Sequence, residues 1–331
     1  MIQTIYIEQA IFDHPRSIAI RQRFPQASIV TCERYGEAFN PKAQNFRLQK
    51  QQPALILAKK HDHFVLEAPY SYNIGGQRNY YFSHMLNCIY DCRYCFLQGM
   101  YRSANYVLFI NYEDFDSAIE KVVTESNEPT YFFSGYDCDS LALEPVTGFI
   151  EYTLPMFRKF DNAWLELRTK STQIRTLLET EAMHNCIVAF SLSPEVLAEA
   201  LEYKAPPLSK RLDAAEKLQQ AGWPIGLRFD PIIFCDNYQQ LYSEFFEQVF
   251  ARIDLNRLHS VSLGVFRMPQ DFYRNTVKLY PEEKLFAGPL TEHAPMVTYG
   301  NRLQDEMLAF CREKLLQLMP EEKLYLCHDN N

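Results

Sequence analysis

The sequence predicts an α/β protein built on an open, partial (β/α)6 barrel. Three observations carry that expectation. Strand-like apolar runs recur six times, amphipathic stretches lie between them, and polar residues follow the runs at one common end. Strand, helix and strand in alternation imply parallel strands joined by right-handed crossovers. Six such units suit an open barrel better than a closed one of eight.

The elements follow in chain order. Residues 1–79 read as a mixed N-terminal extension, with Ile18 to Arg23 suited to a short helix and Ala54-Leu55-Ile56-Leu57 to a strand. The core is expected over residues 80–299, with strands at Tyr80–Met85, Pro129–Phe133, Trp164–Leu167, Ile187–Leu192, Ile225–Ile233 and Ser260–Phe266. Asp114 to Val123 and Ser209 to Ala221 read as helices. In the second, Leu212, Ala215 and Leu218 recur at helical spacing before Gly222 ends the run. Residues 300–331 read as a C-terminal helix, Leu303 to Leu318, and an edge strand at Lys323–Cys327. In this architecture function collects on loops after the C-terminal strand ends. Ser134 to Ser140, Arg168-Thr169-Lys170, Ser191-Leu192-Ser193 and Arg228-Phe229-Asp230 all stand there, as does a cysteine-rich loop after the first core strand.

Composition narrows the class. Of 331 residues, 47% are hydrophobic and 22% charged, which supplies a sizeable core and excludes a disordered chain. No run of about 18 apolar residues exists, so no membrane span is expected. The start of the chain lacks a basic-then-apolar leader, so a cytoplasmic location is expected. A net charge of -8 argues against whole-surface attraction to nucleic acid. Residues 38–60 run against that balance: they hold Lys42, Arg47, Lys50, Lys59 and Lys60 and no acid. With Phe39, Phe46, Tyr70 and Tyr72 they form a candidate rim for DNA, the competing reading being a solvated flank.

The nine cysteines decide more. An odd count argues against a disulfide framework. Six are scattered in apolar company, whereas Cys88, Cys92 and Cys95 form C-x3-C-x2-C within eight residues. Three thiolates on one loop can bind three irons of a four-iron, four-sulfur (4Fe–4S) cluster and leave one iron open for chemistry. The rival reading is structural zinc, which wants four ligands and would take His84 as the fourth.

Cys88-Ile89-Tyr90-Asp91-Cys92-Arg93-Tyr94-Cys95 resembles the cluster signature of radical SAM enzymes. More narrowly, Cys95-Phe96-Leu97-Gln98-Gly99, Gly135 with Asp139-Ser140-Leu141-Ala142-Leu143, Leu167 to Lys170, Phe190 to Pro194, Glu202, Arg211 and Gly226 to Pro231 resemble the spore photoproduct lyase family. The resemblance runs through nearly the whole chain and implies a radical SAM barrel. It also implies reductive cleavage of S-adenosyl-L-methionine to a 5′-deoxyadenosyl radical, repair of a pyrimidine photolesion in DNA, and a reducing electron donor of flavodoxin or ferredoxin type. By the same resemblance Cys88, Cys92 and Cys95 ligate the cluster, and Tyr94, Asp139, Ser140, Lys170 and Ser191 meet S-adenosylmethionine. Read from the residues alone, Lys170 is a strand-end cation, Ser191 a turn residue and Asp139 an N-cap.

Two departures bear on the substrate. The family places a tyrosine directly after the third cluster cysteine, where this chain has Phe96, which has no O–H to give. The family's hydrogen-donor cysteine falls at Tyr136 in our sequence alignment, with Cys138 two residues late. Tyr136 and Cys138 are therefore both candidate catalytic residues. A radical SAM enzyme acting on RNA, a peptide or a metabolite stands as the alternative, as does a non-catalytic iron–sulfur nucleic-acid-binding protein.

Overall fold

The structure is a computed structural model that describes residues 2–39, 44–69 and 73–327. Its larger sheet has eight strands that curl into a half-barrel. From one edge to the other they are Leu324–Leu326, Leu258–Val265, Ile225–Ile232, Cys186–Ser191, Ala163–Thr169, Thr130–Ser134, Arg78–Phe82 and Leu66–Glu67. Every neighbouring pair is parallel except the last. All six expected core strands are present within a few residues, and the expected C-terminal edge strand pairs with Leu258–Val265.

Parallel strands covered on both faces read as continuous apolar runs. Cys186–Ser191, for example, is buried at every position. The helices Tyr112–Thr124, Phe149–Phe157, Leu208–Gln220, Tyr238–Phe250 and Asn301–Leu316 bury one face each. Leu208–Gln220 stops where Gly222 takes φ +97°, a left-handed position that suits glycine. Among the described residues no helix is long and apolar enough to cross a membrane.

The N-terminal extension is better ordered than its sequence suggests. Thr4–Glu8, Ser28–Cys32 and Leu55–Ala58 form a parallel sheet that also takes in Tyr106–Phe109, and Met85–Leu86 closes its edge antiparallel. This smaller sheet thus draws strands from both sides of residue 79. A second unforeseen unit lies between the last barrel strand and the C-terminal helix. It consists of a helix, Gln270–Leu279, and an antiparallel sheet of Arg267–Pro269, Met296–Tyr299 and Leu290–His293.

The barrel lumen is polar at its centre. Glu166 and Arg228 are each 1% exposed and pair at 2.7 Å. Arg228 also donates to the Ser260 carbonyl and hydroxyl, both at 3.1 Å, and Arg168 donates to Glu166 at 2.9 Å. Burial acts to raise the Glu166 carboxyl, but the Arg228 and Arg168 guanidiniums overcome it and hold it at about 2. The folded value lies below the ordinary 4.5, so this carboxylate adds stability above that pH and loses it as pH falls toward 2. Removing one partner strands a buried charge. Glu166→Ala is expected to cost ~3–5 kcal/mol in urea unfolding at neutral pH. Its unfolding free energy should also fall less steeply than that of the unsubstituted chain between those two pH values. An equally steep acid loss in the variant would contradict this assignment.

Candidate functional site

The cysteine loop leaves the C-terminal end of the Arg78–Phe82 strand. Asn87 turns the chain with φ +68° and anchors the turn by donating to the Ser103 and Asn105 carbonyls at 2.8 and 2.7 Å. Asp91–Cys92 then pairs antiparallel with Glu202–Tyr203, Glu202 opposite Cys92, and the Arg93 N–H donates to the Leu201 carbonyl at 2.8 Å. After Cys95 the chain enters a single helical turn, Leu97–Met100. The loop is therefore tied to the barrel from both flanks.

The three thiols are free and lie close enough to act on one another electrostatically. Burial, then the Asp139 carboxylate, push Cys88 well above the ordinary thiol value. Burial pushes Cys92 up to about 12 and also raises Cys95. Buried thiols of this kind stay protonated until a metal takes the proton's place. Among the described residues no three His, Cys, Asp or Glu side chains converge as ligands of one ion. His84, the fourth ligand of the zinc reading, is stacked flat on Phe149 at 3.9 Å and held neutral by burial, its value pushed down to about 3. Soft sulfur donors spread along one loop fit a cluster, in which each thiolate takes a separate iron, better than a lone ion.

Beside the loop lies a buried carboxylate. Glu202 is 3% exposed and accepts hydrogen bonds from the Tyr94 hydroxyl, from the Ser193 hydroxyl at 3.0 Å and from Arg211. Arg211, itself buried, passes the linkage on to the Ser191 carbonyl at 3.1 Å. The Lys170 ammonium sits 5.4 Å from the Tyr94 ring centre. Burial acts to lower the Lys170 value, and the nearby Glu202 carboxylate and Cys92 reverse it. Tyr94 and Lys170, two of the residues expected at the cofactor, therefore meet around one carboxylate, and the Ser191 backbone joins them through Arg211.

Asp139 and Ser140 knit two strand ends together. The Asp139 carboxylate accepts from the Leu141 and Ala142 N–H groups at 3.0 and 2.9 Å, from the Thr169 hydroxyl at 2.7 Å and from the Lys170 N–H at 2.6 Å. Its oxygens are thus engaged in positioning the backbone that carries Lys170. The Ser140 N–H donates to the Arg168 carbonyl at 3.0 Å. Gly135, φ +88°, is needed at this crossing, since a Cβ there would come within 2.6 Å of the Ser140 hydroxyl and 2.9 Å of the Arg168 carbonyl.

Cys138 is 6% exposed and within electrostatic reach of Cys88. Burial first, and then Cys88, push it well above the ordinary value, so it is a neutral thiol. Tyr136 stacks on Tyr81 at 4.3 Å and meets Phe96 at 5.6 Å, and Phe96 continues to Phe272 at 6.4 Å. These rings form an aromatic wall. Between Tyr136 and Cys138, Asp137 is buried and accepts from the Ser83 hydroxyl at 2.5 Å, with the Tyr101 hydroxyl and the Lys60 ammonium also close.

The candidate DNA rim is changed by the fold. Phe39 and Phe46 are buried at 4% and 5% exposure and cannot stack on a base. Lys60 is drawn over the Phe109 ring at 4.8 Å. Lys42, Tyr70 and Tyr72 lie outside the described residues. The sequence reading quoted Glu202, Arg211 and, within the loop after the second strand, Asp137, but gave none of them a role, and it did not single out Ser83. The usable signal was an acid and a base nine residues apart, both following the fourth strand's loop.

If Glu202 holds the loop, its partners rank by charge. Glu202→Gln leaves Arg211 buried without a counter-ion and is expected to cost ~3–5 kcal/mol. Tyr94→Phe removes one hydrogen bond and is expected to cost about 0.5–1.5 kcal/mol. Urea unfolding of both variants checks the order, and a Tyr94→Phe loss as large as that of Glu202→Gln would contradict it.

The family model described as spore photoproduct lyase matches residues 2–302. A spore photoproduct lyase of Bacillus subtilis (strain 168) is 24% identical over 293 residues, covering 86% of this chain and 83% of that protein. A second, from Geobacillus sp. (strain Y412MC61), is 25% identical over 203 residues, covering 60% of this chain and 59% of that protein. Among solved structures, a spore photoproduct lyase double mutant with bound AdoMet and dinucleoside spore photoproduct superposes with a TM-score of 0.86 at 18% identity, covering 100% of this chain and 99% of that one. A spore photoproduct lyase complexed with dinucleoside spore photoproduct gives 0.83 at 18% identity over 99% of this chain and 98% of that one.

Proposed function

The chain belongs to the spore photoproduct lyase family, a family of radical SAM lyases, and on that footing we propose that it reverses a pyrimidine photolesion of DNA with S-adenosylmethionine as cofactor. The observation that carries the reading is the meeting of three free thiols, the Lys170 ammonium and the Tyr94–Glu202–Arg211 linkage at the strand ends of one half-barrel. Cys88, Cys92 and Cys95 hold the 4Fe–4S cluster. Bound there, the cluster and S-adenosylmethionine together supply a 5′-deoxyadenosyl radical.

This chain's own residues bind, orient and exclude. The Lys170 ammonium offers a counter-charge to the cofactor's carboxylate, and Asp139 fixes the backbone from which it extends. Ser140, Ser191 and Tyr94 shape the wall of that pocket, and Glu202 holds Tyr94 in place. Cys138 is the hydrogen donor to the lesion. As a neutral buried thiol it has a sulfur-bound hydrogen to give, which a thiolate would lack. Tyr136, Tyr81 and Phe96 present flat apolar faces suited to flanking an unstacked base.

Anaerobic reconstitution with iron and sulfide, followed by dithionite and S-adenosylmethionine, should yield 5′-deoxyadenosine and methionine. Addition of a dinucleoside spore photoproduct should then yield its two restored thymine residues. Cys92→Ala should abolish both. Cys138→Ala should keep 5′-deoxyadenosine formation while clean lesion reversal falls. Cofactor cleavage with an untouched lesion would move the substrate to a non-DNA molecule, and no cleavage by a fully loaded cluster would overturn the reading.

A further inference from the structure

One surface of the chain is built against its overall charge, and it lies directly over the cysteine loop. Tyr203 faces Asp91 across the short antiparallel ladder, one residue from the Glu202–Cys92 pair. Arg93, between Cys92 and Cys95, is clasped between the rings of Tyr203 and Tyr280, with its guanidinium carbon 4.2 and 3.9 Å from their centres. It is ion-paired with Asp91 at 2.9 Å and Glu283 at 3.8 Å. The basic helix Phe46–Gln51 packs onto the same place. Lys50 pairs with Asp91 at 3.5 Å, and the Lys204 ammonium donates to the Lys50 carbonyl at 3.1 Å. Arg47 stands within electrostatic reach of the Tyr280 phenol, and Lys204 within reach of Asp91.

Four cations, Arg47, Lys50, Arg93 and Lys204, thus surround two carboxylates, Asp91 and Glu283, in a chain whose net charge is -8. The two carboxylates are taken up by Lys50 and Arg93, which leaves Arg47 and Lys204 as the exposed excess. Beside them are two of the more exposed apolar side chains, Leu48 at 61% and Tyr203 at 45%. Exposed apolar side chains among cations are a common feature of protein-binding patches.

We propose that this surface docks a small acidic protein that carries a one-electron redox group and passes its electron to the cluster. The inference rests on the cluster reading given above. The transfer breaks and forms no bond: the carrier is oxidised by one electron and the cluster at Cys88, Cys92 and Cys95 is reduced by one. Charge complementarity selects the occupant. The chain's net charge of -8 repels an acidic partner in general, whereas this patch attracts it, at a surface point one ladder step from Cys92. The basic helix Phe46–Gln51, part of the segment read from sequence as a DNA rim, is on this account part of the electron-entry face.

The test uses a purified acidic flavodoxin as the probe and an Arg47→Glu/Lys204→Glu double variant. Calorimetry at low salt should show flavodoxin affinity falling roughly tenfold or more in the variant, and weakening with salt in the unsubstituted chain. 5′-Deoxyadenosine formation driven by flavodoxin should fall by roughly the same factor, whereas the dithionite-driven rate should stay within about twofold. A milder Arg47→Gln/Lys204→Gln variant should lie between, with its unfolding transition unchanged. Unaltered flavodoxin affinity overturns the proposal. So does a loss of affinity for lesion-bearing DNA with flavodoxin binding intact, which would make the patch a nucleic-acid face. The binding arm needs no cluster, so a failure of dithionite to drive cleavage in the unsubstituted chain would count against the cluster reading and leave the surface still decided by calorimetry.

Discussion

The site depends on one carboxylate buried away from bulk solvent. Glu202 is reached by a phenol, a serine hydroxyl and a guanidinium, with an ammonium nearby, and its own backbone pairs with Cys92. Burial acts to raise its carboxyl, and Lys170 and Arg211 hold it down as the anion. A buried anion without such partners would neutralise or pull water in. With them, it fixes in one place the middle cysteine, the tyrosine beside the third cysteine, and the lysine and serine at the ends of two barrel strands. The loop packs Tyr90, Cys92 and Tyr94 into the core, and this polar scaffold fixes how it sits there.

The same logic repeats one layer out. The Asp139 carboxyl accepts from three backbone N–H groups and a threonine, and Asp137 draws Ser83, Tyr101 and Lys60 to one point where the two sheets meet. Deeper in the lumen, Arg228 and Glu166 neutralise each other. The polar groups at the strand ends thus serve mainly to place other residues, and few remain free to touch a ligand. Such outer partners commonly set ligand orientation at metal sites.

The barrel was legible because parallel strands buried on both faces leave long apolar runs, and the six runs survive in the fold with shifts of a few residues. The cysteine spacing was legible because nothing structural requires three thiols in eight residues. Less could be read where neighbours in space are remote in sequence. The smaller sheet joins strands from residues 4 and 106, and its short, half-exposed Ser28–Cys32 edge carries no alternation to read. The Arg267–Tyr299 insertion is held by hairpin pairing across a helix. Phe39 and Phe46 looked available as a stacking rim because sequence shows their basic neighbours but not their burial. Glu202 and Arg211 became meaningful only once the Cys92 ladder was seen.

Phe96 is one of the two positions at which this chain departs from the pattern expected of its family, and its ring lies in the wall with Tyr136 and Phe272. Whatever that wall receives, the account turns on one iron of the cluster having no protein ligand. Mössbauer spectroscopy of the iron-57-loaded protein, with and without S-adenosylmethionine, reads this directly. The account predicts that one of the four iron sites shifts on cofactor addition while three stay thiolate-like. Four sites that ignore the cofactor, or a lone mononuclear iron, would contradict it.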